Sequence, residues 1–323
     1  MPKRGQEPYR EHCASLAGLP IFLQPWWLDA TCGPDSWGAA MVSNAGRVDA
    51  VMPFRLRHLF NLTSLSQPPL TPFLGPWITG STPGATASAS SAREADILAS
   101  LAGSLPAFSH CAQSWSPRLT NWLPFYWHGF EQTTYYTYVL DDLKNEEALW
   151  NDLKGSCRTE IRKASGRFLL KVTTDTSIDE FLALNKAVFA RQGLKLPYTE
   201  ALVRRIDAAC ETRSCRRIFV AKDEEGRRHA GVYLVWDGEC AYYLMGGGDP
   251  TLRMSGATSL CMWEAIRFAA TVTARFDFFG SMLKPVERFF RTFGATQVPY
   301  FVVRKVPSRI LRAKVLFSRR QRP

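Results

Sequence analysis

Residues 276–295 read FDFFGSMLKPVERFFRTFGA. Phe276, Phe278 and Phe279 form a short apolar run that reads as a strand, and Gly280-Ser281 ends it. Pro285 suits the first turn of a helix, where its missing N–H leaves nothing unpaired. Val286, Phe289, Phe290 and Phe293 follow the i, i+3, i+4, i+7 spacing of a core-facing stripe, and Gly294 stands where a helix stops. The segment is strand, turn, helix, stop. Asp277 is its odd member, because a carboxylate in a buried strand is costly unless it is paired or used.

Upstream, the pattern predicts helices over 146–165, 178–191 and 199–211, a hairpin over 217–236, a strand over 238–245 and a helix over 255–272. A last strand ends in PYFVVRKV (299–306). Elements in this order pack as a mixed sheet with helices on both faces. The first half repeats the second weakly. SWGAAMVSNAGRVDAVMPFRL (36–56) matches RRIFVAKDEEGRRHAGVYLVWD (216–237) at an offset of 180, and GFEQTTYYTYV (129–139) matches GATQVPYFVVR (294–304) at 165. The difference is close to the length of GSTPGATASASSAR (80–93), which reads as a flexible insertion or surface loop. The expected fold is α/β, with two lobes that are each a mixed twisted sheet flanked by helices. The lobes are residues 1–140 and 141–306, followed by a basic tail at 307–323.

The net charge of +11 is unevenly placed. Residues 1–140 hold 8 Lys/Arg against 8 Asp/Glu, residues 141–303 hold 24 against 21, and residues 304–323 hold 8 against none. A distributed nucleic-acid surface is therefore not indicated. The tail, SRILRAKVLFSRRQRP, mixes arginines with apolar residues and reads either as a contact to an anionic membrane surface or as a solvated, frayed end. The N-terminus lacks a long apolar run, and the eight cysteines form no CxxC pair, so a cytoplasmic protein with reduced thiols is expected. The five histidines share no ligand spacing, so no metal is expected. Walker and G-x-S-x-G motifs are missing. The aromatic run NWLPFYWHGF (121–130) suits stacking on sugar rings, or core, or an interface.

Three places resemble the GNAT acyltransferase superfamily. The strand at 239–245 leads through GGGDPTLRMSGAT into a helix, and Arg253 to Thr258 is similar to the family's Q/R-x-x-G-x-G/A loop, departing from it at Thr258. FDFFG is placed like the family's strand that splays open beside the thioester, and RFFRTFGA resembles its late helix. A narrower resemblance is to the Fem-type and CelD-like group, through KGSCRTEIRKA (154–164), MGGGDP (245–250), FDFFGSM (276–282), VERFFRTFGA (286–295) and QPPLTPFLGPW (67–77). That group implies two GNAT-like lobes and attack of an amine on an activated acyl carbon. Some members are tRNA-dependent aminoacyl ligases of peptidoglycan cross-bridges. Others resemble acyl-CoA-dependent N-acyltransferases acting on amino sugars.

Under this resemblance Arg253, Ser255 and Gly256 are candidates to hold the pyrophosphate of acetyl-CoA through a helix N-terminus. Gly280 and Ser281 are candidates to offer backbone N–H groups to an oxyanion or phosphate; the bland reading is a plain turn. Asp277 and Glu287 are candidate bases. Asp277 is otherwise a buried acid locked to Arg288 or Arg291, and Glu287 otherwise an i, i+4 partner of Arg291. Tyr243 is a candidate proton donor and Tyr198 lies in a candidate substrate loop. Lys154, Arg158 and Arg162 form one helix ridge with Lys163 and Arg167 beside it, suited to phosphate groups or to a solvated face, above a buried stripe of Trp150, Leu153, Cys157, Ile161 and Ala164. Arg288 completes the substrate-binding candidates. The expected activity is transfer of an acyl group, acetyl by expectation, from acyl-CoA to an amine of a sugar or of a cell-envelope polysaccharide or peptidoglycan precursor. A tRNA-dependent aminoacyltransferase is the rival within enzymes, and the near-neutral body of the chain weighs against it. A silent scaffold on a membrane face is the rival outside them.

Overall fold

The computed structural model describes residues 5–13, 16, 18–44, 46–80, 86–280 and 282–307. The chain divides into two compact units, Met1–Tyr135 with Pro299–Pro323, and Tyr136–Val298. Val302–Lys305, read from the sequence within 141–306, pair inside the first unit.

The first unit carries helices α1 (Gln6–Cys13) and α2 (Pro25–Cys32), then strands β1 (Trp37–Asn44), β2 (Arg47–Leu59), β3 (Leu62–Ser66) and β4 (Trp77–Ile78), helix α3 (Ala87–Ser104), strand β5 (His110–Ser114) and helix α4 (Leu123–Trp127). β1, β2 and β3 are antiparallel, β4 lies on β2, and β3 runs parallel to β5. β5 pairs antiparallel with Val302–Lys305, the end of the chain's last strand. The segment 80–93 is not an insertion loop throughout. The Thr86 side chain caps the Ala89 N–H, and α3 starts at Ala87. Arg93 then pairs with the buried Asp49 at 2.6 Å. Ile97, Leu98 and Leu101 bury the inner face against Phe54, Leu65 and Trp115. Small residues imitate a linker in composition, but alanine favours a helix once a cap and an apolar stripe exist.

Strand β6 (Glu131–Leu140) enters the second unit. There follow α5 (Glu146–Asp152), α6 (Gly155–Arg162) with a π turn to Arg167, β7 (Lys171–Thr173), α7 (Ile178–Arg191), α8 (Glu200–Glu211), β8 (Arg216–Lys222), β9 (Arg228–Trp236), β10 (Ala241–Gly248), α9 (Ala257–Ala269), β11 (Phe276–Asp277), α10 (Lys284–Arg291) and β12 (Thr296–Lys305). The helix expected over 146–165 breaks at Leu153-Lys154, where Arg158 donates to the Asn151 and Leu153 carbonyls at 2.7 Å each. β7 to β10 are antiparallel, β10 runs parallel to β11, and β11 pairs antiparallel with Val139 and Leu140 of β6. Both units share one scheme: three antiparallel strands (β1–β3 and β8–β10, the latter extended by β7), a parallel step across a helix, and a closing antiparallel strand. The two weak sequence matches fall on equivalent strands, β1–β2 with β8–β9 and β6 with β12.

The faces of the second sheet are distinct. Leu234, Phe276 and Phe278 join Leu153, Cys157, Ile161, Met262, Ile266, Phe290 and Phe293 in one core under α6, α9 and α10. Phe181 of α7 packs on Tyr233 from the opposite face, and Asp207 of α8 accepts from the Tyr233 hydroxyl at 2.9 Å.

Candidate active site

β10 and β11 are paired only at Ala241↔Phe276 and Tyr242↔Asp277. β10 then continues to Gly248 along β9, with Leu244 as an extra residue between the pairs Tyr243↔Leu234 and Met245↔Tyr233. The chain after Asp277 follows β6 instead. The Phe278 N–H donates to the Tyr138 carbonyl at 3.0 Å, and the Gly280 N–H donates to Thr137 Oγ1 at 2.8 Å. Two parallel strands therefore part just past Tyr242 and Asp277, leaving the far half of β10 unpaired on that side among the described residues.

Asp277 sits at the fork and is buried. Thr137 Oγ1 donates to its Oδ1 at 2.5 Å and the Phe279 N–H donates to the same oxygen at 2.8 Å. Burial pushes the carboxyl up to about 6, against the opposing pull of those two bonds. Oδ2 is the oxygen left to receive a proton. Arg291 belongs to Glu287 instead, at 3.3 Å, and Arg288 is exposed on α10. The Gly280 amide is spent on β6, and a Cβ there would run into the Tyr136 carbonyl and Thr137 Cα, so close strand approach accounts for this glycine. Ser281 lies outside the described residues.

Glu287 accepts from the Tyr138 hydroxyl at 2.5 Å, and Gln297 Nε2 donates to the same hydroxyl at 3.0 Å. Burial, then Glu287, raises the Tyr138 pKa. Tyr243 stacks edge-on against Phe290 at 5.7 Å, and a Cβ on Gly246 would overlap its hydroxyl. Burial, with Tyr198 nearby, raises the Tyr243 pKa, so the phenol stays protonated at neutral pH. The Tyr198 hydroxyl donates to Asn185 Oδ1 at 3.0 Å, and Asn185 Nδ2 donates to the Gly246 carbonyl at 2.7 Å. The substrate-loop candidate is thereby tied to β10 beside Tyr243.

The turn before α9 is a 3-10 segment, Arg253–Ser255, closed by Gly256 in the left-handed region at φ 79°. No side chain caps α9 at Gly256, and Glu160 lies against that turn. A Cβ on Gly256 would strike the Glu160 carbonyl. Arg253 is exposed beside this helix start. Ser255 is buried, and its hydroxyl is engaged with His229 Nδ1 at 3.0 Å, while His229 Nε2 meets Asp223 Oδ2 at 3.0 Å. Its side chain thus fixes the turn. Of the ridge, Arg158 holds carbonyls of its own chain, Arg162 lies over the Trp150 ring at 5.5 Å, and Lys163 pairs with Glu160 at 2.5 Å. Thr137, Tyr138, Asn185, Gln297 and His229 escape a reading of the sequence. Thr137 meets Asp277 across 140 residues, and no local pattern marks such a pair.

A family model described as an acetyltransferase (GNAT) domain matches residues 152–291. No curated protein matches the chain in sequence. A crystal structure of FemX is similar in fold, with a TM-score of 0.65 at 13% identity, over 92% of this chain and 95% of that one. The C-terminal domain of a protein designated a lysylphosphatidylglycerol synthetase from Agrobacterium fabrum gives 0.58 at 11% identity over 97% and 96%. L-PGS from Bacillus licheniformis gives 0.55 at 10% identity over 99% and 98%. The forked strands, the turn before α9 and the family match make this chain an acyltransferase whose residues 152–291 are similar to a GNAT domain and whose fold is similar to that of FemX.

Proposed function

We propose that the chain moves an acyl group, acetyl by expectation, from a CoA thioester to an amine of a sugar or cell-envelope precursor. The observation that carries this reading is the fork at Tyr242 and Asp277 with the uncapped start of α9 in the same unit. The residues present fit the donor: the N–H groups opening α9 and exposed Arg253 suit its phosphates, and Gly256 keeps that turn free of a side chain. The donor supplies the activated acyl carbon. Asp277 Oδ2 takes the proton of the attacking amine, a role suited to a carboxyl raised to about 6. The C–N bond forms, the C–S bond breaks, and Tyr243 gives the leaving thiolate its proton. Thr137 holds Asp277, and Glu287 with Tyr138 braces α10. Lys163, Arg162, Tyr198 and Arg288 are the side chains proposed to meet the acceptor.

Likeness in fold to FemX supports a second reading, transfer of an aminoacyl group from tRNA at the same fork. Release of free thiol from acetyl-CoA with a panel of amino sugars tests the first reading. Thiol release that requires an acceptor and fails in Asp277→Asn supports it. Transfer seen only from aminoacyl-tRNA selects the second.

A further inference from the structure

The first unit buries its large apolar side chains with two exceptions. Among its described residues, the exposed ones are Leu59, Phe60 and Leu62 at the β2–β3 hairpin and Leu123, Tyr126 and Trp127 on α4. Phe60 is 94% exposed and Trp127 68% exposed. Phe60 also occupies the left-handed region at φ 51°, a turn position that favours Asn or Gly.

The hairpin tip and the foot of α4 stand at one end of this unit's sheet. His58 pairs with Thr63, Ser64 with His110, and Cys111 with Lys305, so the hairpin tip, the start of β5 and the end of β12 share that end. Phe108, just before β5, meets Phe130, just after α4, at 6.1 Å. Lys305 Nζ donates to the His128 carbonyl at 2.6 Å, at the foot of α4. Phe125 anchors α4 inward against Trp115 at 4.8 Å, which turns Leu123, Tyr126 and Trp127 outward.

The one acid at this end among the residues named here, Glu131, is held by Arg304 at 3.3 Å. No Asp or Glu occurs between Asp49 and Glu94, or between Asp96 and Glu131. Arg57 and His58 are exposed next to the tip. Aromatic and leucine side chains directed outward among basic groups match the chemistry of an anionic bilayer surface, where apolar tips enter the headgroup region and cations meet lipid phosphates. No described helix is long and apolar enough to cross a membrane, so the fit is to a surface contact.

We infer that this end of the first unit, with Phe60 and Trp127 as its apolar anchors, docks the protein on an anionic lipid surface. The inference does not rest on the acyl donor or acceptor. The test is flotation of the full chain with phosphatidylcholine vesicles, with and without phosphatidylglycerol, beside the double variant Phe60→Ser/Trp127→Ser. Both positions are exposed, so the variant should melt like the parent. The parent should float with anionic vesicles only, less so at high salt, and the variant's partition should fall by roughly tenfold or more. Three results overturn the inference: absence of parent flotation on anionic vesicles, flotation of the variant equal to the parent's, or parent dimers without lipid that the variant abolishes, which would make this end a self-association face.

Discussion

Asp277 and Glu287 stand on opposite faces of one sheet. Asp277 is held by Thr137 and Glu287 by Tyr138, and successive residues of a strand point to opposite sides. The two carboxylates are therefore not a pair acting on one atom from one side. Asp277 shares its face with Tyr242, while Tyr243 and Glu287 lie toward Phe290. The fork between β10 and β11 opens beside both groups.

Asp277→Asn should separate chemistry from folding. Both hydrogen bonds fall on Oδ1, which an asparagine oxygen can keep. Turnover should drop by about 10²–10⁴-fold, the range for loss of a general base, while the melting temperature at pH 8 stays level or rises. Equal losses of turnover and stability would assign Asp277 a structural role instead.

The raised carboxyl also sets a pH dependence of stability. Folded Asp277 titrates near 6 and the unfolded group near the ordinary aspartate value of 3.8, so the folded state holds the proton between those values and the unfolded state does not. Stability should fall as pH rises from about 4 to about 6, by up to about 3 kcal/mol, and this contribution should be flat above. Denaturant unfolding across this range should show that slope in the parent and lose it in Asp277→Asn. The acid limb of kcat/KM should lie near the same pH.

Thr137→Val removes the donor to Asp277 and the acceptor for the Gly280 N–H at near-constant volume. It should cost about 1–3 kcal/mol of stability. Because the lost bond holds the carboxyl down, the acid limb should move to higher pH. Thr137→Ser should restore both.

Gly256→Ala puts a Cβ against the Glu160 carbonyl in a backbone region that side chains avoid. It should cost at least about 1 kcal/mol of stability. It should also weaken donor binding more than acceptor binding, a difference that the two KM values read directly.

The sequence carried the strand, turn and helix of 276–294 because each step has a local cause: the apolar run, the glycine bend, the proline start and the spaced aromatics. The stripe Leu153, Cys157, Ile161 and Ala164 is buried for the same reason. Asp277 announced itself as an acid in an apolar strand. Its holder, Thr137, did not, since a threonine in TTYYTYVL is an ordinary strand residue until β6 lies beside β11. The segment 80–93 misled because cap and stripe, not composition, decide a helix. The closing strands were visible as a repeat, but pairing of 302–305 with β5 depends on topology, which no short window contains.

Calorimetric titration of the parent and of Gly256→Ala with acetyl-CoA tests the central claim most directly. The account predicts one saturable site in the parent, weakened in the variant, and stabilisation of the parent by ~2.7 kcal/mol at a hundred times the dissociation constant. Absence of binding to the folded parent at millimolar acetyl-CoA would contradict it and leave aminoacyl-tRNA as the donor to test.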